Sequence, residues 1–186
     1  MSSQIVLKET EDKMKKMLEA INHQLSSVRT GRANAGMVEN IRVDYYGAST
    51  PLRQLANITI PEPRLIVIGP WDASALKAVE KAIGESDLGI APVIDGKQVK
   101  LAVPPLTRER REELVKIVHK VAEEGRVSAR SIRRDANDRV KQLEKDKAIT
   151  EDDRTTTMDG IQKLTDKYIQ MIDQVQSSKE KDLTQG

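Results

Sequence analysis

The sequence predicts an α+β protein, a long three-helix bundle into which a small β/α/β module is inserted. Three observations predict it. Apolar residues recur at heptad-like spacing in residues 14–28, 114–143 and 158–175, the seam of a helix packed on other helices. Between the first two segments the chain turns to short β-branched runs punctuated by glycine and proline. Only two chain crossings, near Thr30–Arg32 and Val103–Leu106, join that stretch to the rest. The bundle is therefore assigned to 1–30 and 105–186, and the insertion to 31–104.

The first helix carries Met14, Leu18, Ile21, Leu25 and Val28, a 4-3-4-3 spacing. Gly31 follows, where a helix commonly stops. In the insertion, Ile41–Tyr46, Ile58–Ile60 and Leu65–Ile68 read as strands, and Ala73–Ile83 alternates apolar and charged residues at helical spacing. Asp95-Gly96 reads as a two-residue hairpin turn leading into Gln98–Val103. The module holds eight bases and eight acids. Pro104 and Pro105 stiffen the return crossing, and with Gly31 they are the expected hinge. The second helix opens after Thr107, with Glu109 in its first turn. Its seam runs Leu114, Val118, Val121, Gly125, Ser128, Ile132, Ala136, Val140 and Leu143. Unbroken, it spans roughly 38 residues and about 57 Å. Gly125 weakens propensity there, by up to about 1 kcal/mol against alanine, and permits a bend or a close helix contact. The third helix begins with Thr150 capping Glu151, Asp152 and Asp153, and continues through Met158, Ile161, Thr165, Tyr168, Ile172 and Val175. The polar tail beyond Gln176 is expected to fray.

Composition narrows the function classes. A net charge of +2 means that any nucleic-acid footprint is local. The absence of cysteine excludes thiol catalysis, disulfides and thiolate metal sites. No signal-like apolar block opens the chain and no run approaches a membrane span, so a soluble cytoplasmic protein is expected. Aromatic residues are few: Tyr45, Tyr46, Trp71 and Tyr168. A base-stacking platform on the second bundle helix is therefore excluded, and a nucleic-acid partner would be gripped by backbone and shape.

The candidate site is a stripe on that helix. At about 100° per residue, Arg126, Arg133, Arg134, Asn137 and Lys141 fall within roughly 60° of Arg130. Val121, Ser128, Ile132, Ala136 and Leu143 fall on the other side. The acids Glu123 and Glu144 bracket the stripe, while Asp135 and Asp138 turn away. Arginine forks suit paired hydrogen bonds to phosphate, although a plain solvated face would carry charges of this kind too. Catalytic signals are missing: no phosphate loop, no GxGxxG after a strand, no GxSxG and no HExxH. His23 reads as a solvated residue on the first helix. His119 lands on the arginine face, where a surface role and an RNA contact are both open. No metal site, no cofactor and no enzymatic activity are expected.

VRTGRANAGM, DYYGASTPLRQLANI, VEKAIGESDLG, VPPLTRERREELVKIVHK, RVSARSIRRDANDRVKQLEKD and ITEDD, in this order, resemble the ribosome recycling factor family over about the whole chain. The resemblance implies an L-shaped protein, here a monomer. It implies action after termination with GTP-bound elongation factor G, splitting the ribosome so that mRNA and tRNA are released. It places the bundle on large-subunit rRNA, with Arg130, Arg133 and Arg134 as contacts, and matches Arg29, Gly31 and Arg32 to the family's glycine-arginine turn. The competing reading is a helical adaptor or chaperone binding proteins through its bundle, which needs an exposed apolar groove. Because all three seams lie outside the insertion, joining Thr30 to Leu106 by a short flexible linker should leave a helical bundle that melts cooperatively in circular dichroism.

Overall fold

A computed structural model describes residues 2–185. The chain divides into two compact units, one from residues 2–29 and 108–185 and the other from residues 30–107. The first contains α1 (Ser3–Ser26), α3 (Arg108–Lys145) and α4 (Glu151–Gln185); the second contains β1 (Arg42–Tyr45), β2 (Ala48–Pro51), β3 (Ala56–Glu62), β4 (Leu65–Pro70), α2 (Leu76–Glu85), β5 (Val93–Asp95) and β6 (Gln98–Ala102).

In the helical unit each helix packs on both others. α1 buries Val6, Thr10, Met14, Met17, Ile21 and Leu25. α4 buries Thr157, Ile161, Thr165, Tyr168, Ile172, Gln176 and Leu183. The buried threonines cost little, because each donates to the carbonyl four residues back: Thr10 to Val6, Thr157 to Asp153 and Thr165 to Ile161. The expectation that the tail frays is corrected. α4 continues to Gln185 and Leu183 is fully buried. Leu183 lies one heptad beyond Gln176, so it stays on the packed face even though its neighbours are polar.

α3 runs unbroken for 38 residues. Its middle seam is small: Ala122, Gly125, Ala129 and Ala136 are its buried residues there. A Cβ on Gly125 would lie 2.1 Å from Ile21 Cδ1 and 3.3 Å from Ile172 Cδ1. Gly125 thus makes the close contact of α3 with α1 and α4, and the helix does not break at it. The turn into α4 is closed at both ends. Ala148 N–H donates to Leu143 O at 2.9 Å and Lys147 N–H to Glu144 O at 2.8 Å, the pair of bonds that ends a helix through a left-handed residue. That residue is Lys147, at φ +57°. Then Thr150 and Asp153 cap α4 reciprocally: the Asp153 N–H donates to Thr150 Oγ1 at 3.1 Å, and the Thr150 N–H to the Asp153 carboxylate at 3.0 Å.

The second unit has a two-stranded sheet, β1–β2, and a four-stranded antiparallel sheet ordered β3-β4-β6-β5. Tyr45 pairs with Ala48, so Tyr46 and Gly47 form the turn, both at positive φ. The Asp44 carboxylate accepts from Gly47 N–H at 2.9 Å. In the β5–β6 hairpin Asp95 pairs with Gln98, so the turn is Gly96-Lys97, one residue later than Asp95-Gly96. Gly96 carries the positive φ. The core gathers Val43, Leu52, Ile66, Ile68, Val99 and Leu101 from the strands and loops with Val79 and Ile83 of α2.

Two substitutions test this packing. Lys147→Gly removes the left-handed penalty and should raise the helical unit's stability by about 0.5–1 kcal/mol in urea unfolding. Gly125→Ala should lower it, since overpacking of about 1–3 kcal/mol outweighs a propensity gain of about 1 kcal/mol. Adding Ile21→Val removes the clashing methyl, so the double variant should be more stable than the two single effects added together.

Candidate nucleic-acid interface

The α3 stripe is positioned by where the helix buries its seam. Leu114, Val118, Ala122, Gly125, Ala129, Ala136 and Val140 are buried, and their mean direction lies about 110° from Arg130 by helical geometry. Periodicity alone puts the core opposite Arg130, and this is corrected: Val121, Ser128, Ile132 and Leu143 are only half-buried. The shift follows from Ala122 and Ala129, whose small side chains give a weak hydrophobic signal yet sit at the closest approach.

That rotation divides the stripe. Arg134 and Lys141 are exposed, Arg133 and Asn137 are half-buried, and Arg126 has only 19% of its side chain exposed. Arg133 is not opposite Ala136 but about 60° from it, so its stem lies at the core margin. The Asn137 Oδ1 is buried with no hydrogen-bond partner. Neither Arg133, Arg134 nor Lys141 is engaged in an ion pair or hydrogen bond among the described residues.

Arg126 is committed within the bundle. Its Nε donates to Asp173 Oδ1 at 2.8 Å, its Nη1 to Glu123 at 3.2 Å, and its Nη2 to the side-chain Oε1 of Gln176. Burial works against its charge, but these bonds and the two carboxylates outweigh it and raise the guanidinium pKa further. Glu123 does not merely bracket the stripe. It lies inside it and also reaches Arg130 at 3.5 Å. The chain of contacts continues through Gln176, which is buried and whose amide bonds His119 Nδ1 at 2.7 Å and Glu180 at 2.8 Å. His119 Nε2 meets Glu180 at 2.8 Å, so His119 belongs to this network. Sequence reasoning missed Asp173, Gln176 and Glu180. They lie on α4, and the available signal was Gln176 itself, a polar residue at a seam position.

The remaining named residues lie elsewhere. Arg29 is exposed, three residues beyond α1. Arg32 is in the second unit and lines a small cavity with Ala33 and the Ile60–Pro63 bend. Gly31 has φ +75°, and a Cβ there would meet Leu106 Cγ at 3.1 Å, so glycine is required on both counts. Pro104 and Pro105 are exposed in the irregular segment between β6 and α3. Tyr168 is buried, and the other aromatics, including the exposed Tyr46 and Trp71, are in the second unit; α3 carries no stacking platform. Among the described residues no cluster of three or more His, Asp or Glu could hold a metal, and no helix is long and apolar enough to cross a membrane.

What this assembly offers is a fixed row of cations on a rigid helix, arginines held at one end and open at the other. Comparison with known proteins places it. The model describing the ribosome recycling factor family matches residues 21–183. The chain is 53% identical over 180 residues to the ribosome-recycling factor of Carboxydothermus hydrogenoformans, covering 97% of each, and 52% identical to that of Brevibacillus brevis at the same coverage. A solution structure of a ribosome recycling factor superposes with a TM-score of 0.79 at 41% identity, over 100% of this chain and 99% of that one. A second match, at TM-score 0.67 and 45% identity over 98% and 99%, is from models of the T. thermophilus ribosome recycling factor and the E. coli elongation factor G bound to the E. coli post-termination complex. The chain belongs to the ribosome recycling factor family.

If Arg126 is an internal clamp, Arg126→Ala should cost about 2–3 kcal/mol of stability, since it strips charged hydrogen bonds and leaves Gln176 unsatisfied. Arg134→Ala, at an exposed position with no partner, should stay within about 0.5 kcal/mol of the parent. Paired thermal melts decide between them.

Proposed function

We propose that this chain recycles ribosomes. It binds the large ribosomal subunit after termination and, with GTP-bound elongation factor G, splits the post-termination complex so that mRNA and tRNA leave. It works in the cytoplasm, does no covalent chemistry of its own and draws its energy from the partner's GTP hydrolysis. Family membership supports this reading, as does the T. thermophilus relative bound with elongation factor G on a post-termination complex.

The observation that carries the RNA grip is the open half of the α3 face. Arg133, Arg134 and Lys141 present cations with no internal partner among the described residues, and Arg130 is held only by a 3.5 Å contact to Glu123. Phosphates can displace that contact, because exposed ion pairs of this kind contribute little. Arg126 then serves as the anchor that fixes the row against α4, and Asn137 lies three turns farther along the same face. Arg29 and Arg32 add contacts next to the glycine turn. In this reading 1–30 with 105–186 is the RNA-binding domain and 31–104 the domain on which elongation factor G acts. Gly31, Pro104 and Pro105 form the joint.

Sedimentation with large subunits across a salt series tests the grip. Arg134→Ala should weaken binding by about 1.5–3 kcal/mol, and its log–log salt slope should fall by roughly 0.7–0.9 for each phosphate it no longer neutralises. Recycling should fall in parallel. Lys163→Ala, on the outer face of α4, should change neither. Normal binding by Arg134→Ala with an unaltered slope would leave the stripe as a solvated face.

A further inference from the structure

The helical unit has a second polar cluster, unrelated to the α3 face. A groove of about 360 Å³ runs between the end of α1 and the last third of α4. Leu25 and Val175 give it an apolar lining, and Lys179 enters it half-buried. Lys179 makes no ion pair or hydrogen bond among the described residues. Three further lining side chains, Asn22, Gln174 and Ser178, also have donors that no internal partner uses among those residues. The groove thus sets a half-buried amine with no internal hydrogen bond beside exposed polar side chains, in a recess open to solvent.

We propose that Lys179 is an acyl-accepting site, taking a small acyl group such as acetyl from an activated donor, an acyl phosphate or a thioester, seated in this groove. The Nζ lone pair attacks the donor's carbonyl carbon and a C–N bond forms. The bond from that carbon to the phosphate oxygen or thioester sulfur breaks, and phosphate or thiolate leaves with the electron pair. The extra proton on nitrogen passes to water. Asp182 is the other charged residue lining the groove, and α1 lines it with none. No oxidant or metal is required.

Two properties favour reaction here over an exposed lysine. The free amine is the nucleophile, and partial burial lowers the Lys179 pKa, against an opposing pull from Asp182. The product also suits the site. Acylation replaces a partly desolvated cation by a neutral amide, its methyl can rest on Leu25 and Val175, and its oxygen can accept from Asn22, Gln174 or Ser178.

The test is mass-spectrometric timing of acetylation on the full folded chain, with acetyl phosphate and separately with acetyl-coenzyme A, from pH 7 to 9. Lys179 should react several-fold faster than the exposed Lys163, and the gap should be widest at the low end of the pH range. The preference should vanish in urea. Asp182→Asn should speed Lys179 further and leave Lys163 unchanged; if that variant misfolds, the wild-type comparison decides alone. Rates at Lys179 no greater than at Lys163 with both donors would overturn the proposal. So would a preference that survives unfolding, because it would then stem from local sequence and not from the groove.

Discussion

The helical unit depends on how little α3 presents at its waist. Ala122, Gly125 and Ala129 leave room for Ile21 of α1 and Ile172 of α4 to reach the α3 backbone. Close approach raises the dispersion attraction of every residue along the seam. It also decides the electrostatics of the helix surface. α4 comes near enough for Asp173 and Gln176 to take hold of Arg126. A bulky residue in place of Gly125 would push the helices apart, and the row of cations would lose its fixed end. Packing and charge geometry are one constraint here.

That constraint explains an asymmetry in the stripe. Arg126, Glu123 and Asp173 satisfy one another at one end, while the exposed Arg134 and Lys141 and the half-buried Arg133 have nothing among the described residues to satisfy them. An arginine already ordered by neighbours loses less conformational freedom when a ligand arrives. An arginine with no neighbour keeps its whole charge for the ligand. The helix combines both kinds. A formal charge of +2 for the whole chain therefore says little about the local field along α3, because most of the compensating acids are paired or lie on other faces.

Much of this is legible in the sequence. The three seams, the inserted β/α/β module, the 38-residue helix and the Thr150 cap all rest on strong local signals: heptads, β-branched runs, glycine turns and a hydroxyl followed by acids. What stays hidden there has two causes. Alanine and glycine carry almost no hydrophobic signal, so periodicity misjudges the core direction of α3 by about 70°, and with it the exposure of Arg133. Contacts between helices distant in sequence leave no periodic trace, so the Asp173–Arg126–Gln176 linkage is invisible. Leu183 escapes because one apolar residue among polar ones does not register in a periodicity reading, although it is fully buried.

The insertion also orders events in time. The second unit folds from one continuous stretch, 30–107, and α3 with α4 form a hairpin whose contacts are close in sequence. α1 has no such advantage, for the two helices it packs on, α3 and α4, begin only at residue 108. Closing so long a loop carries an entropic cost that nearby contacts escape. During synthesis, which runs from the N-terminus, α1 is made before α3 and α4 and is the last of the three that can bury its apolar face. It spends that interval as an amphipathic strip in search of cover, the state in which a newly made chain is most open to aggregation and to capture by chaperones.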